Sequence, residues 1–413
     1  MNKASLAIPW FGAELLRPLV NETHQPRRPH LRAAGFALAL LALGMCAGAA
    51  KAAQLLHRYV NALAPMEFEL KGQAIAMQRE AFAHADLLPL YGSSELVKRI
   101  PDKASLFFKS YPTDFEVFAV GKAGATSLII LQKLAAIGPE LRGKKIAISI
   151  SPSWFFTERI NPRYYNGNFS SAQATALIFS DTLSLDLRRR AARRMLAFPE
   201  SLKNSSVLRF ALARLAGDSP MDRAGFFLVA PLARVQSMVQ RMQDEMECAL
   251  FVLDHHTRFR AGSAHHPLPI DWEAELAPYA GSEAEREVAR VRGSRSATDI
   301  SFQVTMAHAT EWTDLTLLLQ GLKELGAQPL LLTMPINGQY YDRIGVRRSS
   351  RDQYVQHVRA LAAEFGVPLL DFEEHEQDPG FLVDHHDHLS PEGWMFFDKA
   401  LDDFFHGRIG ARQ

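Results

Sequence analysis

The chain is 413 residues long, 47% apolar and 22% charged, which suits one large domain with an insertion, or two domains, and excludes a wholly disordered chain. A formal net charge of +1 argues neither for nucleic acid nor against it; no nucleic-acid partner is expected. Of the two cysteines, Cys46 and Cys248, the first sits in an apolar stretch. No intrachain disulfide is therefore expected, and the fold must hold by its core.

In chain order, residues 33–50, AAGFALALLALGMCAGAA, come first. They carry no charge, and their 18 positions reach the lower end of what spans a bilayer. Arg27, Arg28 and Arg32 precede them, and Lys51 is the only charge close behind. The positive-inside rule then puts residues 1–32 in the cytoplasm, 33–50 across the inner or plasma membrane as a single anchor, and the rest in the periplasm or outside. The competing reading is a cleaved signal peptide, for which Ala47-Gly48-Ala49 offers small residues. A long polar leader favours the uncleaved anchor, and bulky Met45 argues against a lipidated Cys46. Residues 51–85 read as a helical linker.

An alternation follows. DLLPLYG, ending at Gly92, is a predicted strand, and SELVKRI a helical turn. DFEVFAVG, ending at Gly121, is a strand; ATSLIILQKLAAIGPEL has helical spacing; KKIAISIS is a third strand. Near the other end, WTDLTLLLQGLKELG is a helix stopped by Gly326, AQPLLLTMP a strand, and RDQYVQHVRALAAEFG a helix stopped by Gly366. VPLLDF is the fifth strand. SPEGWMFFDKALDDFF is the last helix, with Ser390 as its N-cap and Pro391 at its first position. Five short apolar strands alternating with helices predict a parallel sheet covered on both faces, in a domain over residues 86–413.

Residues 155–310 interrupt the alternation and read as a mainly helical insertion. Its basic run LRRRAARR, 187–194, is expected to be a solvated helix face, with contact to anionic lipid as the alternative. GFFLVAPLA, 225–233, is too short to span a membrane and is expected to be core or interfacial. His255-His256 and His265-His266 read as surface loop residues.

Ligands of parallel sheets bind beyond the carboxyl ends of the strands. Gly92-Ser93-Ser94-Glu95 follows the first strand, Gly121-Lys122-Ala123-Gly124-Ala125-Thr126 the second, and Ser151-Pro152-Ser153-Trp154 the third. DHHDHLSPEGW, 384–394, follows the fifth. Each alone is a weak signal, since Gly-Ser-Ser after a strand is also an ordinary turn with a helix cap. Their convergence on one sheet edge is what carries weight. A serine hydroxyl, an imidazole, a carboxylate and backbone N–H donors are the parts of acyl transfer through a seryl ester. A metal centre on Asp384, His385, His386, Asp387 and His388 is disfavoured, because adjacent side chains rarely converge on one ion; no metal or cofactor is expected.

YGSSEL, SPSWF with NGNFSSAQ after it, MPINGQYYDRIGV and DHLSPEGW, together with the single N-terminal anchor, resemble the DltD family. That family consists of membrane-anchored proteins of the D-alanyl-lipoteichoic acid pathway, within the SGNH (GDSL-like) hydrolases. The resemblance implies a flavodoxin-like three-layer α/β/α fold with a five-stranded parallel sheet. It implies Ser94 as nucleophile, with Ser93 as the fallback, and His388 as base. It implies an oxyanion hole from Ser94 and Gly124, with Ser153 where the family has an amide side chain. The family's acid lies three residues before the histidine, which here is His385. Asp384 is the chosen candidate for the acid and Asp387 the alternative, expected to be a surface charge. The implied work is acyl transfer to or from D-alanyl or other acyl esters of a cell-envelope polymer. The implied partners are a membrane-bound O-acyltransferase, acyl-carrier pathway proteins, the polymer and membrane lipid. A plain esterase or thioesterase, and a non-catalytic glycan-binding scaffold, are the alternatives.

Overall fold

The structure, a computed structural model, describes residues 29–111, 113–255, 268–279, 297–385 and 387–409. The chain divides into two units, residues 1–47 and 48–413. Helix α1, Pro29–Leu63, is long and apolar enough to cross a membrane, and Leu31, Phe36, Leu38, Leu41 and Leu43 are exposed along its first half. It outruns the predicted span because residues 51–63 contain neither glycine nor proline to stop it. Buried Lys71 closes its end by donating to the carbonyls of Leu63, Ala64 and Met66 at 3.2, 2.6 and 3.2 Å. A cation is favoured at a helix C-terminus, although burial lowers the Lys71 pKa to about 7. Helix α2, Ile75–Ala83, then leads into the sheet.

The strands are β1 Leu87–Gly92, β2 Glu116–Gly121, β3 Lys145–Ile150, β4 Gln328–Thr333 and β5 Leu369–Leu370. All pair in parallel in the order β2-β1-β3-β4-β5, the flavodoxin-like order. Further helices are α3 Ala104–Ser110, α4 Ser127–Ile137, α5 Glu311–Leu325, α6 Arg348–Phe365 and α7 Pro391–Phe405. Strand side chains alternate between two cores. Tyr91, Phe118, Ile146, Ile148 and Leu331 pack with α2, α4, α5 and α6. Leu88, Leu90, Val117, Ala147 and Leu332 pack with α3 and α7. Burial on both faces is why these strands read as nearly unbroken apolar runs. Gly326 and Gly366 end α5 and α6 in the left-handed conformation, at φ 71° and 67°.

Between residues 155 and 310 the described elements are helical, the longest being Pro220–His255. Two arginines of the basic run do not form the expected solvated face. Arg194 makes a paired contact at 2.7 and 2.9 Å with Asp314, which is fully buried on α5. Arg189 donates to the carbonyls of Leu215 and Gly217 at 3.3 and 2.7 Å. GFFLVAPLA lies within the long helix, with Phe226 and Ala233 buried and Phe227, Leu228 and Leu232 exposed. His255 is the last residue of that helix, half-buried, with Nδ1 2.9 Å from the Phe251 carbonyl, rather than a surface loop residue. His256, His265 and His266 lie outside the described residues.

Arg351 on α6 is 1% exposed and ties three pieces together, bonding Glu376, Asp342 at 2.7 Å and the Val346 carbonyl at 2.6 Å. Arg351→Met leaves a buried carboxylate without its main countercharge and is expected to cost about 3–5 kcal/mol. Urea denaturation of both proteins checks this; a loss below about 1 kcal/mol contradicts it.

Candidate active site

β1 lies between β2 and β3, so the chain leaves it toward one side and reaches β3 on the other. The loops part at its carboxyl end, which is where such sheets form a crevice. Gly92, the last residue of β1, pairs with Gly121, the last of β2. A Cβ on Gly92 would fall 2.1 Å from Glu95 Oε1. That carboxylate folds back to accept the Ser93 N–H at 2.7 Å, and burial raises its pKa. The two serines differ in access. Ser93 is buried, and its Oγ accepts the Gly124 N–H at 2.9 Å. Ser94 is half-buried, and its Oγ is 2.9 Å from His388 Nε2.

His388 comes from a small hairpin. Leu382 and Leu389 form an antiparallel bridge, the Val383 N–H donates to the His388 carbonyl at 2.8 Å, and the Ser390 N–H donates to the Phe381 carbonyl at 3.0 Å. Val383 and His388 face each other where the hairpin turns, so Asp384, just after Val383, comes back beside the His388 ring. His388 Nδ1 is 2.9 Å from both Asp384 oxygens, and the His388 N–H approaches Oδ1 at 3.4 Å. Lys98 Nζ ion-pairs with the same carboxylate. Ser390 caps α7 by accepting the Gly393 N–H at 3.1 Å. A Cβ on Gly393 would lie 2.4 Å from the Phe381 carbonyl, which explains the glycine in SPEGW.

Asp387 departs from expectation. It is fully buried, not a surface charge, at φ 63° in the left-handed region. Its Oδ2 accepts the Ser153 N–H at 2.9 Å and the Ser151 hydroxyl at 3.4 Å. Burial, with a smaller push from Asp384, raises its pKa to about 8, so it is mostly protonated at neutral pH. The Ser153 hydroxyl is 2.7 Å from that of Ser151. Gly124 has φ 78°, and a Cβ there would lie 2.4 Å from Tyr164 Cβ. Asn168, from the NGNFSSAQ stretch, holds this loop by donating to the Ala123 and Tyr164 carbonyls at 3.0 and 2.9 Å. His385 stacks on Tyr340 with centroids 4.4 Å apart. Among the described residues, the donors at 384–388 do not converge on one point.

Ser94, His388 and Asp384 thus form one hydrogen-bonded chain, with Gly124 linked to the neighbouring serine and Ser153 linked to Asp387. Lys98 and Asn168 went unnoticed in the sequence. Lys98 sits four residues after Ser94, the one hint of its nearness; Asn168 lies in the NGNFSSAQ stretch, but only the tertiary fold shows that it holds the Gly124 loop.

Residues 68–406 match the family described as DltD protein. The chain belongs to the DltD family. It is 27% identical over 356 residues to Protein DltD of Bacillus subtilis (strain 168), covering 81% of this chain and 86% of that one. It is 24% identical over 353 residues to Protein DltD of Staphylococcus aureus (strain NCTC 8325 / PS 47), covering 80% and 84%. It is 23% identical over 357 residues to Protein DltD of Lacticaseibacillus rhamnosus, covering 81% and 80%. The DltD family match spans every site residue described above and begins beyond α1.

Asp387 carries a pH signature. Its pKa rises from 3.8 to about 8 on folding, so between those values the folded chain holds a proton that the unfolded chain releases. Its contribution to stability is full below about pH 4 and declines as pH rises toward 8. Asp387→Asn keeps the shape without the titration. The melting temperature of the variant minus that of the wild type is expected to increase from pH 5 to pH 8. A difference that stays flat contradicts a protonated Asp387.

Proposed function

We propose that the protein is a membrane-anchored, extracytoplasmic serine acyltransferase or esterase, forming a seryl ester on Ser94. The family points to D-alanyl esters of a cell-envelope polymer such as lipoteichoic acid, and to work beside a membrane-bound O-acyltransferase and acyl-carrier proteins. The observation that carries this reading is the chain from the Ser94 hydroxyl to His388 Nε2, and from Nδ1 to Asp384, each link at 2.9 Å. The apolar first half of α1 supports the anchor, and the arginines before it support an outward-facing domain.

In this reading His388 takes the Ser94 proton as Oγ attacks the donor's acyl carbonyl, and returns it to the departing group. An acceptor hydroxyl, or water, then gives its proton to His388 and attacks the seryl ester, freeing Ser94. Asp384 holds the ring with its Nδ1–H inward and stabilises the cation. Lys98, ion-paired with Asp384, orients its carboxylate as a positioning residue. The N–H groups of Ser94 and Gly124 are the proposed oxyanion donors. A cavity of about 470 Å³, lined in part by Leu96, Val97, Lys122, Ala123, Met66 and Phe68, adjoins the loops after β1 and β2 and gives room for donor or acceptor.

One observation favours the scaffold alternative. The Gly124 N–H is taken up by Ser93, and the Ser153 hydroxyl lies against Ser151, so both would have to leave these partners to serve beside the Ser94 N–H as oxyanion donors. A fluorophosphonate probe decides between the readings. Labelling is expected in the wild type and in Ser93→Ala, and absent in Ser94→Ala. No labelling of the wild type favours the scaffold, and loss in Ser93→Ala alone moves the nucleophile by one residue. Products formed with and without a polyol acceptor separate transfer from hydrolysis.

The carboxylates are told apart by kinetics on an activated aryl ester. Asp384→Asn is expected to lower kcat by about two to four powers of ten, the scale of a lost triad carboxylate. Asp387→Asn is expected to stay within about tenfold, because the amide preserves an uncharged acceptor for Ser153. The reverse ranking would assign the acid to Asp387.

A further inference from the structure

A second cluster of chemistry-bearing side chains lies at the amino end of β1, away from the strand ends that carry Ser94. His57 on α1, Glu80 on α2 and His84 just after α2 meet there. His57 Nδ1 is 2.5 Å from Glu80 Oε1, His84 Nε2 is 3.5 Å from the same oxygen, and the two imidazole rings are 4.6 Å apart. One donor atom from each residue lies within 4.8 Å of the other two. His84 Nε2 is shielded from solvent and makes no hydrogen bond. Behind that ring, Nδ1 is 3.6 Å from Asp86 Oδ1, and Asp86 Oδ2 accepts from Asn61 at 2.6 Å.

We propose that His57, Glu80 and His84 form a binding site for zinc or a similar divalent transition metal. Two imidazoles and one carboxylate are the donors of a three-ligand zinc site, with water in the fourth position. Magnesium and calcium take oxygen sets instead. Glu80 and His84 are four residues apart, the spacing that brings two side chains to one side of a helix. Asp86 stands where a carboxylate behind a metal-bound histidine fixes its tautomer and raises its basicity. Donors bound to tetrahedral zinc at about 2.0–2.1 Å stand about 3.3 Å apart. His57 and Glu80 must therefore open by under about 1 Å, which the exposed His57 side chain permits. The ion would join α1 to α2 and to the segment entering β1. The site is remote from the seryl chemistry and independent of it.

The test uses full-length protein in detergent, stripped with a chelator and titrated with ZnCl2 against a chromophoric competitor. One zinc per chain is expected, with a melting temperature that rises with zinc, since the ion binds the folded state. Glu80→Gln and the double variant His57→Ala/His84→Ala are expected to lose both effects. Asp86→Asn is expected to weaken binding about 10- to 100-fold. Circular dichroism reports whether each variant is folded, and Glu80→Gln serves if the double variant is not. Absence of zinc binding by the wild type, or undiminished binding and stabilisation in Glu80→Gln, overturns the proposal.

Discussion

An imidazole can take a proton from a hydroxyl only within hydrogen-bond reach, and Ser94 and His388 are 294 positions apart in the chain. Parallel strand pairing closes that distance. Because β1 pairs in parallel with both β2 and β3, and β4 and β5 continue the sheet, every carboxyl end opens at the same edge. Each chemistry-bearing loop follows a strand and so arrives there. Parallel pairing also demands crossovers that cover both faces, and the two cores on either side of the sheet are that demand met. The long helical insertion lies between β3 and β4 and leaves their pairing intact, from Lys145 with Gln328 to Ile150 with Thr333.

Within that edge, the hairpin 382–389 does the finer placing. Asp384 and Asp387 have the same side chain and lie three residues apart, yet their surroundings set opposite tasks. Asp384 is part-exposed, faces the His388 ring and has Lys98 beside it. Asp387 turns inward through a left-handed backbone, meets the Ser153 N–H and loses its charge to burial. It joins the histidine loop to the loop after β3. That link fixes where the histidine loop sits, while Asp384 fixes how the ring is turned.

The parts of the fold that were legible in the sequence are those with local causes. Apolar runs ending in glycine gave β1 and β2, helical spacing ending in glycine gave α5 and α6, and Ser390-Pro391 gave the start of α7. β5 was less legible. Six residues looked like strand, but only Leu369 and Leu370 pair, and Phe372 soon turns away at φ 51°. Other features depend on neighbours distant in sequence. Arg194 looks like a solvated arginine until α5 brings Asp314 against it. Asp387 looks like a surface charge until the loop after β3 supplies an N–H. The residues alone left Ser93 and Ser94 open and the family resemblance favoured Ser94; in the fold Ser93 is buried and Ser94 meets His388.

The proposed function stands on an acyl group passing through Ser94. The most direct measurement is peptide mass spectrometry of the protein quenched in acid after exposure to an activated D-alanyl ester. The expected result is a D-alanyl mass on the peptide spanning residue 94, assigned by fragmentation to Ser94 and lost on mild alkaline treatment, as an ester is. An adduct on another residue, or none while the protein turns the donor over, would contradict it.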